Sequence, residues 1–293
     1  MNDKLLVDKR LVRRSFERAA ATYDNAAVLQ NEVCRRALGR LDYIKHQPAT
    51  ILDAGSGTGN ALAALARRYP QARLIALDIA LAMLGRGRSR IPWWKNLLVR
   101  RPQPVAVCAD VERLPAAAVS IDMVWSNLAL QWVNDLQQAF AEMQRVLVPG
   151  GLLMFSTFGP DTLKELRYAY QGIDHHTHVN RFIDMHDVGD MLVHSGFADP
   201  VMDMEVFTLT YADVRELMRD LKAIGAHNAT HGRPAGLSGK AQFEAMARNY
   251  EAFRREGRLP ATFEVVYGHA WKPQPRVSPA GRPVIDIKPI SGS

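Results

Sequence analysis

Asp53, Asp78, Asp110 and Asn127 each close an apolar run, and together they carry the chemistry this chain can offer. Ile51-Leu52-Asp53 leads straight into Ala54-Gly55-Ser56-Gly57-Thr58-Gly59. Glycine adopts positive φ and admits a ligand where a Cβ would collide, so glycines at alternate positions describe a tight turn beneath a bound molecule. Thr58 then opens a helical pattern (Ala61, Leu62, Leu65, Ala66) whose free N–H groups point at the same place. The runs Leu74 to Asp78, Val105 to Asp110 and Asp122 to Asn127 end in further acceptors. Carboxylates and an amide so placed suit a ligand that presents hydroxyls, an exocyclic amine and an ammonium. Each acid would also serve as the N-cap of the helix that follows it. Asn60 stands where the dinucleotide fingerprint needs its third glycine, and no Gly-Lys-Ser/Thr follows. A pyrophosphate cofactor or a P-loop triphosphate therefore fits poorly.

The elements that must position these groups follow from periodicity. Continuous apolar runs read as parallel strands buried on both faces, and strands alternating with helices from about 49 to 158 imply right-handed βαβ units. In such a sheet the ligand crevice lies at the carboxyl ends of the strands, where the polar ends converge with the glycine turn. Residues 9 to 42 carry helical spacing (Leu11, Phe16, Ala19, Val28, Leu29, Val33, Leu38, Leu41), broken around Tyr23-Asp24-Asn25, and form an N-terminal helical cover. A helix from Asp135 to Val148 stops at Pro149-Gly150-Gly151 before a strand over Leu152 to Thr157. Residues 161 to 200 read as helical, Val206 to Tyr211 as a strand, 212 to 257 as helical around a Gly-rich break at 225 to 239, and Thr262 to Trp271 as a last strand. The two late strands would form an antiparallel edge. The domain reading is a helical lid over 1–45, a main domain over 46–271 with insertions at about 161–200 and 212–257, and a Pro-rich tail over 272–293 expected to be mobile.

At 293 residues and 47% apolar content the chain has ample material for a core. It has no run of about 18 apolar residues to span a bilayer and no apolar leader, which points to the cytoplasm and to no membrane partner. Cys34 and Cys108 are the only cysteines, and both are expected as buried free thiols. The net charge of +7 favours an acidic partner, with Arg86-Gly87-Arg88-Ser89-Arg90, Lys95, Arg100 and Arg101 as the densest patch. Basic-aromatic nucleic-acid modules are absent from the sequence, so nucleic acid is not the expected partner. His175, His176, His178 and His186 cluster without a helical His-x-x-x-His spacing, and are read as a polar insertion loop and not a metal site.

The glycine turn, Asp78, Asp110 to Pro115, Ser126 to Trp132 and Arg145 to Gly151 together resemble a class I S-adenosylmethionine-dependent methyltransferase. Ser15 to Asp24, the Ser-Asn-Leu-Ala-Leu-Gln-Trp block, Asn180-Arg181-Phe182 and Leu221 to Asn228 further resemble the BioC family of malonyl-acyl-carrier-protein O-methyltransferases, over roughly residues 10 to 271. The resemblance implies a Rossmann-like α/β fold: a mostly parallel seven-stranded sheet with an antiparallel edge strand, helices on both faces, an N-terminal helical lid and a helical insertion. It implies S-adenosylmethionine held by Asp53, Gly55, Ser56, Gly57, Gly59, Asp78, Ile79, Met83, Asp110, Val111, Asn127 and Leu128, with no metal. Asp78 would take the ribose hydroxyls, Asp110 the adenine amine, and the Asp53 region the methionine ammonium.

The implied substrate is the free carboxylate of a malonyl group on acyl carrier protein, whose methyl ester starts pimelate assembly for biotin. A carboxylate with a pKa near 4 is already a nucleophile at neutral pH, so no general base is needed, and rate depends on alignment. Arg181, in the insertion, is the candidate to grip the carboxylate bidentately. Tyr23 belongs to the lid over the cofactor, and Trp132 would wall the pocket or anchor the next helix. Two other functions keep the same pocket: an arginine hydroxylase like the complex I assembly factors, or a module that binds S-adenosylmethionine without catalysis.

Overall fold

The computed structural model describes residues 6–89, 103–226, 228–233 and 239–275. They build one seven-stranded sheet from β1 (Thr50–Ala54), β2 (Arg73–Asp78), β3 (Val105–Cys108), β4 (Ile121–Asn127), β5 (Leu147–Phe158), β6 (Ala198–Tyr211) and β7 (Leu259–Trp271), in the order β3-β2-β1-β4-β5-β7-β6. Pairings from β3 to β5 are parallel, and β7 runs antiparallel to both β5 and β6. The order reverses between β1 and β4, which is where a doubly wound sheet opens its crevice.

Alternation across the strands divides the core into two layers. Ile51, Met123, Trp125, Leu152 and Met154 face one layer, and Leu52, Val124, Leu153 and Phe155 the other. The first is covered by α3 (Val28–Arg40), α4 (Leu62–Arg68), α7 (Lys164–Ala169), α9 (Val214–Ala223) and α10 (Lys240–Glu251). The second is covered by α6 (Leu136–Val146) and α8 (Met185–His194), whose Phe140 meets Phe155 at 5.5 Å. Each fully buried Leu, Ile or Phe in these layers contributes about 1.5–3 kcal/mol, and the stiff sheet that results fixes the strand ends. At the crevice lie α1 (Lys9–Ala19), capped by Asp8, the single turn α2 (Tyr23–Ala26), and α5 (Leu81–Ser89).

Some sequence expectations are corrected. The expected break at Pro149-Gly150-Gly151 lies inside β5, because α6 ends at Val146 and the chain is extended from Leu147. Residues 161 to 200 hold only two helices, α7 and α8, and their last residues belong to β6. β6 itself begins at Ala198, since its acids Asp203 and Glu205 pair with Arg36 and Arg40 of α3 and so are accommodated in a strand. β3 is the sheet's edge, not a strand buried on both faces, and Cys108 is exposed there while Cys34 is buried. Of the basic patch from Arg86 to Arg101, the part beyond residue 89 lies outside the described residues, as does the expected mobile tail from residue 276.

Candidate cofactor pocket and adjoining chamber

Parallel register sets the polar strand ends side by side: Asp53 lies opposite Ala76 and Trp125, and Asp78 opposite Cys108. The turn after β1 is closed by Gly55 and Ser56 N–H groups donating to the Leu77 carbonyl at 2.8 and 2.9 Å. Gly55 sits at φ +81°, and a Cβ there would stand 2.1 Å from the Ala129 Cβ, so no other residue lets the turn pack on the segment after β4. Gly57, at φ +54°, has nothing within 4 Å of where its Cβ would be, which leaves open space beside the pocket.

Asp78 is buried and locks this turn to the next helix. Its carboxylate accepts the Gly57 N–H at 2.9 Å and the Ala80 N–H at 2.8 Å. Burial raises its pKa, and those N–H groups work against the rise. Each oxygen keeps a lone pair for a ligand hydroxyl. Asp53 lies deeper, 3% exposed, and burial, with the Asp78 charge adding to it, pushes its carboxyl up to about 7. A ligand cation above the turn would favour its ionised form.

The pocket over the turn is lined by Gly55, Gly57, Asp78, Ile79, Met83, Asp110, Val111, Asn127, Leu128, Tyr23 and Trp132 among the residues expected from sequence, together with Lys9, Val12, Phe16, Ala109, Ala129 and Val133. Asp53 supports it from beneath, and Ser56 and Gly59 line a small separate cavity with Leu62 and Gly87. Open space above glycine, two acids and an amide around it, and an apolar wall from Met83 and Ile79 fit an adenosine with a charged amino-acid arm. Leu128 is a left-handed residue, φ +48°, held by its N–H on Ser156 Oγ at 3.1 Å and by Gln131 Nε2 on its carbonyl at 2.7 Å. Strain of this kind persists only where neighbours over-determine it, and here it lies on the pocket wall. Asn127 is spent on scaffold bonds, its Nδ2 on the Gln30 carbonyl at 3.3 Å and its Oδ1 accepting from Ser156 at 2.9 Å.

Lys9 was not legible from the sequence. Its ammonium donates to both oxygens of Asp110 at 2.8 Å and lies 3.0 Å from Glu112, tying α1 across the pocket over a separation of 101 residues. Phe16 packs edge-on against Trp132 at 5.3 Å in the same cover.

Phe16, Tyr23, Leu128 and Trp132 line a second cavity too, an apolar chamber beyond the pocket. Tyr23 therefore stands at the junction. Burial, then the Asp78 charge, holds its hydroxyl well above the usual range, so it stays protonated. The chamber continues past Phe158, Phe182, Leu166 and Phe263 to Asn180, Asn228, Lys222 and Arg233. Arg181 is not among its lining residues. Val179, Asn180 and Phe182 face inward, Phe182 against Phe158 at 5.7 Å, and the residue between them turns out, leaving Arg181 exposed in an outer vestibule with His175, His176 and Asp184. His178 pairs with Asp174 at 2.9 Å and stacks on Tyr170, while His186 pairs with Asp184 beside the N-terminus of α8. Among the described residues no group of His, Cys, Asp and Glu has the arrangement to hold a metal, and no helix is long and apolar enough to cross a membrane.

A family model described as a methyltransferase domain matches residues 52–155, from β1 through β5. The malonyl-[acyl-carrier protein] O-methyltransferase of Gallionella capsiferriformans is 60% identical, with 97% of each chain covered. The protein of the same name from Laribacter hongkongensis is 55% identical, with 99% of each chain covered. Among solved structures, the YcgJ protein of Bacillus subtilis matches with a TM-score of 0.57 at 14% identity, covering 82% of this chain and all but a little (99%) of its own. The cyclase SpnF matches at 0.52 and 18% identity over 83% of this chain and 82% of its own, so likeness at this level carries the fold alone.

Proposed function

This chain belongs to the malonyl-[acyl-carrier protein] O-methyltransferase family, and from that premise we propose that it methylates the free carboxylate of a malonyl group borne by acyl carrier protein. It is an S-adenosylmethionine-dependent methyltransferase. The observation that carries the proposal is near full-length identity to relatives of that name, supported by an apolar chamber that meets the pocket at Tyr23.

Bound S-adenosylmethionine supplies an electrophilic methyl group on a sulfonium. Asp78 would hold its hydroxyls, Asp110 its base, and Asp53, from beneath the turn, would balance its ammonium. Phe16, Tyr23, Leu128 and Trp132, which line both cavities, would hold the junction, exclude water and orient the substrate carboxylate toward the methyl group. Among the described residues no base is needed or offered there: the nucleophile arrives as an anion, and Tyr23 keeps its proton. The methyl ester formed would open pimelate assembly for biotin.

For the carrier, a groove between α1 and α9 is lined by Arg18, Arg219 and Lys222, and Lys222 lines the chamber as well. Among the described residues no acid pairs with these cations. The vestibule on the other side mixes Arg167 and Arg181 with Asp174, Asp184 and Asp187. An acidic carrier is therefore drawn to the groove, from which its prosthetic arm enters the chamber. Incubation with S-adenosylmethionine and malonyl carrier protein should raise the carrier's mass by one CH2, a methyl in place of the acid proton, removable by ester hydrolysis. An unchanged mass under conditions where S-adenosylmethionine binds overturns the reading.

A further inference from the structure

We infer that Arg233, and not Arg181, is the anion anchor of the substrate chamber: it holds the carboxylate that will be methylated and selects acids over their esters. The inference rests on the proposed substrate class and deepens it by naming the residue.

The chamber is built for one negative charge. Among the described residues lining it no Asp or Glu occurs, and the full cations are Lys222 and Arg233. Lys222 is exposed and belongs equally to the outer groove. Arg233 is half-buried. A half-buried guanidinium in an acid-free cavity keeps more of its attraction for an anion than a fully exposed surface charge, which solvent and salt screen. It spends one N–H on the Thr230 carbonyl at 3.1 Å, which orients the side chain, and among the described residues its other side-chain donors have no partner. Asp8, whose carboxyl is held below its usual range first by the Leu11 N–H and only last by the Arg233 charge, is occupied in capping α1 through the Arg10 and Leu11 N–H groups. Among the described residues Arg233 has no carboxylate partner of its own.

The turn that carries Arg233 is fixed from both sides. Ala229 accepts the Asp8 N–H at 2.7 Å, the His231 N–H donates to Leu6 at 2.9 Å, and Thr177 in the insertion donates to Gly232 at 3.1 Å. Thr230, 1% exposed, gives its N–H and hydroxyl to Asn228 Oδ1 at 3.0 and 2.8 Å. Asn180, which lines the same chamber, is 9% exposed with its Oδ1 buried and, among the described residues, unpartnered. By rotating about its last torsion this amide presents a donor or an acceptor to a bound acyl group. Among the described residues lining the chamber Arg233 is the one guanidinium, and the lid and the insertion both bond the turn that carries it.

In the transfer, one carboxylate oxygen forms the O–CH3 bond, the methyl–sulfur bond breaks, and its electron pair stays on sulfur. The ester that results is neutral. Arg233 then loses its partner, so the ion pair that admits the substrate also favours departure of the product.

The test measures binding of malonyl-pantetheine and of its methyl ester to the full chain by calorimetry, with S-adenosylhomocysteine present. The wild-type chain should prefer the acid by about tenfold or more, the size of a charge-assisted contact. Arg233→Gln should erase the preference while S-adenosylhomocysteine affinity holds, and Arg181→Gln should leave it. As a reading that needs no variant to fold, malonyl-pantetheine should protect Arg233, and not Arg181, from an arginine-specific dicarbonyl reagent mapped by mass spectrometry. A preference that survives Arg233→Gln, an absent preference in the wild type, or protection confined to Arg181 overturns the inference. Should the wild-type chain bind the acid through Arg233 yet fail to methylate it, the proposed function falls and the anchor stands.

Discussion

Asp53 shows how one buried carboxyl links stability to ligand binding. It titrates near 7 in the folded chain, against about 4 when unfolded. Below pH 4 both states hold the proton. Between about 4 and 7 the folded chain keeps a proton that the unfolded chain has lost, so stability falls as pH rises, and above 7 the slope vanishes. A bound ammonium needs the opposite form. S-adenosylmethionine affinity should therefore climb between about pH 5.5 and 7.5, approaching tenfold per unit at the acid end. In Asp53→Asn both profiles should flatten, by calorimetry for affinity and by melting temperature for stability. A wild-type slope preserved in the variant would assign the titration to another group. At this scale the sequence was legible where a residue ends a buried strand, because burial and the turn glycines leave few places for its side chain to go. Arg181 and Arg233 were not separable in this way. Which face of an irregular segment a side chain takes is set by neighbours such as Phe158 and Thr177, far away in sequence.

Among the elements, α1 is held over the crevice at both ends. Asp8 caps its start, Phe16 packs on Trp132, Glu17 accepts the Leu81 and Ala82 N–H groups at the start of α5, and Lys9 reaches across the pocket to Asp110 and Glu112. Their side chains are 20–32% exposed, so solvent screens the pair and its contribution is about 0.5–1 kcal/mol. Lys9→Met should accordingly speed release of S-adenosylhomocysteine by about two- to fivefold in stopped-flow measurements and leave association nearly unchanged. Tighter binding by the variant would mean that Lys9 competes with the ligand for Asp110 and does not close the lid over it. The sequence announced α1 by its apolar spacing and the parallel strands by their continuous runs. It did not announce the tie, which is two ordinary residues 101 positions apart, nor the first half of β6, whose acids look like loop until α3 supplies their arginines.

The whole molecule carries a charge of +7, and its distribution decides how a charged partner arrives. On the side of α1 and α9 the cations Arg18, Arg219 and Lys222 border the groove, which shares Lys222 with the chamber, while the vestibule sets three acids against two arginines. On the proposed function, an acidic carrier would be steered by the first and gain little from the second. Steering is long-ranged, so it weakens as the Debye length shrinks from about 30 Å at 0.01 M salt to about 8 Å at 0.15 M. Apparent kcat/KM for malonyl carrier protein should fall across that range, whereas malonyl-pantetheine, with one charge, should respond much less. Arg18→Glu and Arg219→Glu should each lower the carrier reaction and spare the small thioester, because neither residue lines the chamber. The same salt profile for both substrates, unmoved by either reversal, would place carrier docking on another face. A loss shared equally by the two substrates in Arg219→Glu would instead mean that the groove supports the fold of α9, through which Lys222 and Leu221 reach the chamber wall.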